Sequence, residues 1–142
     1  MCLQVSIEFS ASSESDVEKL ARAVKAEFAV EFALESLQKS RRVAKVFVTA
    51  KGSGCGCSFL ESTAMPHDDL WHFRPEAARA VADAVEQVGK RKQGEITFQA
   101  IWLGPDREDL EVRRVGLGEL AKLIRSCEIS QSVRYLAASV PD

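Results

Sequence analysis

The spacing of apolar residues switches along this chain between every second position and about every 3.6 positions. That switching constrains the fold more than any single motif does. Leu3, Val5, Ile7 and Phe9 alternate with Gln4, Ser6 and Glu8, giving a pleated segment one apolar and one polar face. After the polar run Ser10–Ser13, Ser15 and Glu18 match a capping box, and Val17, Leu20, Ala21, Val24 and Phe28 follow at helical spacing. From Glu27 the apolar residues Phe28, Val30, Phe32 and Leu34 alternate strictly, which is also a strand pattern. No Gly or Pro breaks the preceding helix, and Ala and Glu favour helix, so the expectation is one helix to about Gln38, with a strand as the competing reading.

Val43–Ala50 is β-rich and apolar on both faces, which suits a central strand. Pro75 suits a first helical turn, and Glu76–Val88 carries Ala77, Val81, Ala84, Val85 and Val88 on one face before Gly89 and the basic triplet Lys90–Lys92 end it. Glu95–Leu103 reads as a strand closed by a Gly-Pro-Asp turn, and Leu110–Val115 as a short strand able to pair back on it as a hairpin. Leu117, Leu120, Ala121, Leu123, Ile124 and Cys127 mark a third helix, and Val133–Ala138 a last strand.

The expected order is therefore β-α-β-α-β-β-α-β. It describes an α/β or α+β domain with a single mixed sheet of about four to five strands and about three helices packed on it. The 142 residues suit one globular domain, residues 1–142, with no repeat and no linker long enough to divide it. The polar positions of the first and third strands leave one side of the sheet partly open, interrupted by Phe47, Ile101 and Leu103. A homodimer partner or the helix after Pro75 would cover that apolar surface.

Charge and composition exclude several classes. Lys and Arg number 19 against 21 Asp and Glu, a net charge of −2, which argues against a nucleic-acid binder needing a basic excess. No apolar run approaches the ~20 residues that cross a bilayer, so no membrane partner is expected. The N-terminus lacks a basic leader and Glu8 interrupts its apolar stretch, so the expected location is cytoplasmic, with the four cysteines reduced.

The chemistry-bearing residues concentrate in two neighbouring segments. Gly52, Gly54 and Gly56 alternate with Cys55 and Cys57 directly after a strand, and both histidines of the chain, His67 and His72, follow within a short span. Cys55, Cys57, His67 and His72 make a two-cysteine, two-histidine set that zinc takes tetrahedrally. The spacing is unusual, because only Gly56 separates the cysteines, and on a helix His67 and His72 would point about 140° apart. One ion could take both only if the segment is a loop or tight turn.

Asp68 and His72, four apart, would instead share a helical face as a carboxylate–histidine pair. The Cys-Gly-Cys run also admits a strained redox disulfide, and the glycines an anion-binding turn. The G-x-x-x-x-G-K-[ST] and G-x-G-x-x-G patterns are both absent. The plainest alternative is a tight turn needing positive φ. Cys127 falls on an apolar helix face and Trp102 alternates with Phe98 and Ile96, so both are expected in the core. These residues describe a small binding or regulatory module with a metal or ligand site at 52–58 and 67–72. The alternative is a small enzyme using His67 or His72 with Asp68 or a thiol, in hydrolytic or thiol-redox chemistry.

Overall fold

The computed structural model describes residues 3–24, 30–50, 59–60, 70–92, 95–102 and 110–138. The side chains of residues 50 and 102 lie outside that description, and with them the expectation for Trp102. Six strands and three helices follow in the order β1 (Leu3–Ser10), α1 (Glu14–Ala23), β2 (Val30–Gln38), β3 (Val43–Ala50), α2 (Pro75–Arg91), β4 (Glu95–Trp102), β5 (Glu111–Gly116), α3 (Leu117–Arg125) and β6 (Val133–Ala138). The strands form one mixed sheet in the order β2-β3-β1-β4-β6-β5. Only β5 and β6 run parallel; the other four pairings are antiparallel. The fold is α+β, with two interleaved split β-α-β units followed by a β-α-β of adjacent strands.

Two expectations about element type and pairing are corrected. Residues 30–38 form strand β2, not the continuation of α1 to Gln38. Glu, Ala and Leu favour a helix locally, but Val30, Phe32 and Leu34 pair opposite Ala50, Val48 and Val46, and hairpin formation with β3 overrides that preference. A bulge between Leu34 and Ser36 then shifts the phase, so that Leu37 faces Ala44. β5 pairs with β6 and not back on β4, because α3 returns the chain to lay β6 between them. The strand count rises to six, and the true order is β-α-β-β-α-β-β-α-β.

The cap of α1 also lies two residues earlier than the Ser15/Glu18 pattern suggests. Ser13 is the N-cap, its Oγ accepting from the Asp16 amide at 3.2 Å, while the Asp16 carboxylate accepts from the Ser12 amide at 3.3 Å. Asp16 is a better third-position partner here because it also takes a 2.9 Å hydrogen bond from Lys92 Nζ. That bond is the main reason the Asp16 carboxyl is held below its ordinary range. Lys92 lies over the Phe9 ring as well, so the end of α2 is fastened to the start of α1.

All three helices bury their apolar residues in one core with Leu3, Val5, Ile7 and Phe9 of β1 and their same-face neighbours Ala44, Val46, Val48, Ile96, Phe98, Ala100 and Tyr135. α2 buries a wide face, at Ala77, Ala78, Ala80, Val81, Ala82, Ala84, Val85, Val88 and Gly89, because it packs against α3 as well as into the common core. Arg125 of α3 donates to Asp83 and Glu86 of α2, a pair of acceptors that raises its already high pKa. The opposite sheet face carries Ser6, Glu8, Lys45, Phe47, Thr49, Thr97, Gln99 and Ile101. Ser6, Thr49 and Gln99 of that face are buried and Phe47 and Ile101 half-buried, and among the described residues neither Phe47 nor Ile101 belongs to the hydrophobic core in which α2 packs.

Tyr135 is fully buried, and its hydroxyl accepts from the Ser130 amide at 3.0 Å. Tyr135→Phe leaves that buried N–H without this acceptor and is expected to lower stability by about 1–3 kcal/mol. A urea denaturation midpoint equal to the wild type's would refute this.

Candidate functional site

At one end of the sheet β1 and β2 begin and β3 and β4 end, as their antiparallel registers require. Phe59, Leu60 and Leu70–Arg74 are the described residues between β3 and α2, and each stretch is tied to the body. Phe59 and Leu60 are buried. Leu60 bridges Phe73, Leu70 bridges Ser130, and the Trp71 amide donates to Ile129 O at 2.9 Å. The Arg74 amide donates to Phe59 O at 2.7 Å, and Arg74 Nε to Leu60 O at 3.2 Å.

This clamp is set by two aromatic anchors. Trp71 and Phe73 are each 1% exposed, whereas His72 between them is exposed. The Trp71 indole N–H donates to Ala100 O of β4 at 2.6 Å, the partner a buried indole needs. Extended backbone sends neighbouring side chains to opposite sides, which is why burial of the two aromatics puts the imidazole outward. The segment is not helical, and the first helical residue is Pro75. A shared helical face for Asp68 and His72 is therefore overturned at its His72 end.

The other three members of the expected ligand set, Cys55, Cys57 and His67, lie outside the described residues, as do Asp68 and Asp69 and the glycines of 52–56. Among the described residues no group of three or more His, Cys, Asp or Glu could hold a metal ion.

Cys127 is corrected in position. It lies beyond the last helical residue of α3 with φ 58°, half-buried. The Cys127 amide donates to Ile124 O at 3.1 Å and the Glu128 amide to Leu123 O at 2.9 Å, the two bonds of a Schellman ending. Glycine is the usual residue at such a left-handed position; the thiol is placed by the helix terminus, and from there it packs, half-buried, against the core as expected. Its Sγ donates to Phe73 O at 3.5 Å, adding a further tie to the clamp beside His72. The helical spacing of Cys127 concealed this, and only the absence of any Gly after Arg125 could have suggested a non-glycine ending.

No helix of the described residues is long and apolar enough to cross a membrane. No family model, no curated protein and no solved structure matches this chain.

Proposed function

We propose that this protein is a small binding module whose working end is the clamp around His72, with Cys55, Cys57, His67 and His72 as the ligands of a zinc ion. The observation that supports the reading is the way Trp71 and Phe73 pin the backbone on either side of an exposed imidazole. A metal ligand held by flanking anchors loses little freedom on binding, which is what a preorganised site requires. Leu70–His72, the described part of the segment that joins the histidines, is not helical, which is compatible with the condition set by their five-residue separation. Two thiolates and two imidazoles would close the tetrahedron, so the ion would be structural and without an open position for substrate.

Protein purified without a histidine tag is expected to carry about one equivalent of zinc by elemental analysis, and less than about 0.1 after Cys55→Ser with Cys57→Ser or after His72→Ala. Chelation should lower the melting temperature, because binding energy at a site formed only in the folded state is folding energy. Wild-type protein with less than about 0.1 equivalent of zinc, iron or copper would sink the reading.

A further inference from the structure

At the opposite end of the sheet from His72, on the face away from the helices, a cleft of about 330 Å³ is lined by Glu8, Ser10, Arg41, Arg42, Glu95 and Thr97 over Phe9 and Val43. That volume falls at the lower end of the range for small-molecule sites. The walls come from three elements: β1 supplies Glu8 and Ser10, β4 supplies Glu95 and Thr97, and the turn joining β2 to β3 supplies both arginines.

The charges in the cleft are only partly spent within the protein. Glu95 is paired with Arg114, and Lys45, which lies opposite Glu8 in the sheet, is paired with Glu35 at 4.0 Å. Arg41 gives one N–H to Gln38 Oε1 at 3.4 Å. Among the described residues no ion pair joins Arg41, Arg42 or Glu8 to any partner. The cleft therefore presents two guanidinium groups and one carboxylate.

Arg42 carries a second signal. Its φ is 54°, in the left-handed region where glycine is cheapest, and its carbonyl accepts from the Ala11 amide at 2.9 Å, which fixes the turn. The backbone of this turn has no need of an arginine. It is the side chain that the position presents to the cleft.

We propose that the cleft binds an acidic amino acid, its two carboxylates taken by Arg41 and Arg42 and its ammonium by Glu8. Arginine forks match carboxylates in bidentate geometry, and the hydroxyls of Ser10 and Thr97 can take the remaining polar atoms. Glu8, which has no ion-pair partner among the described residues, favours a ligand that carries its own cation over a bare anion such as phosphate.

Titration of the intact protein with L-glutamate, followed by backbone amide NMR shifts, tests this independently of the zinc reading. Saturable shifts are expected at Ser10, Val43 and Thr97, with glutarate (which lacks the ammonium) and inorganic phosphate binding at least about tenfold more weakly. Arg42→Gly should weaken binding at least about tenfold while leaving the melting temperature equal or higher, since it relieves the left-handed arginine. Glu8→Gln should abolish the preference for glutamate over glutarate. No saturable shift up to about 10 mM, shifts elsewhere on the molecule, equal binding of phosphate or glutarate, or unaltered binding by Arg42→Gly would each overturn the proposal.

Discussion

Replacing Trp71 with alanine is expected to destabilise the protein by about 4 kcal/mol, within the range for truncating a fully buried large aromatic. Two losses combine. The indole leaves a void against the core at a site that is 1% exposed, and the 2.6 Å hydrogen bond to Ala100 O disappears. Trp71→Phe separates them: it keeps most of the apolar volume and removes only the donor, so a loss of about 1–2 kcal/mol is expected. Urea denaturation of both variants checks the ranking, and equal losses would show that the hydrogen bond carries nothing. Zinc content in the phenylalanine variant then reports whether a loosened clamp still holds the proposed ligand set.

The second large effect is at Gly89, near the end of α2. A Cβ there would lie 2.6 Å from both methyls of Leu117 and 3.1 Å from its Cγ. Helix propensity alone favours Gly89→Val by a few tenths of a kcal/mol. Packing reverses the sign. Leu117 is 7% exposed and opens α3 against α2, so its side chain cannot swing clear without giving up its own burial. We expect Gly89→Val to cost about 3 kcal/mol, at the upper end for overpacking a core. A denaturation midpoint at or above the wild type's would mean that the α2–α3 contact yields easily, contrary to the wide buried face of α2.

The parts of this fold legible in the sequence are those whose local pattern and tertiary role agree. Leu3, Val5, Ile7 and Phe9 alternate and are buried; Pro75 opens α2 and the basic residues after Val88 close it. Residues 30–38 were ambiguous because no Gly or Pro separates them from the preceding helix and Ala and Glu favour helix, while Val30, Phe32 and Leu34 fit a strand. Only pairing with β3 decides between them. The parallel pairing of β5 was hidden for a similar reason, since its partner β6 lies beyond a helix.

The candidate site divides along the same line. That His67, His72, Cys55 and Cys57 are close in sequence is plain; that His72 faces outward from a non-helical clamp is visible only once Trp71 and Phe73 find their partners on β4 and beside Leu60. No motif in the sequence marks Arg41 and Arg42. Their position across a cleft from Glu8 depends on the order β2-β3-β1-β4, which brings a hairpin turn beside two strands distant from it in the chain.

By itself the sequence determined most of the strands and helices, leaving residues 30–38 undecided, together with the apolar face of the first strand and the absence of a marked net charge, because periodicity and composition are local properties of the chain. The tertiary structure alone decided which face of the sheet the helices cover, which strands are neighbours and which charges meet. Those depend on hydrogen bonds and contacts between residues far apart in sequence, whose energies no local window contains.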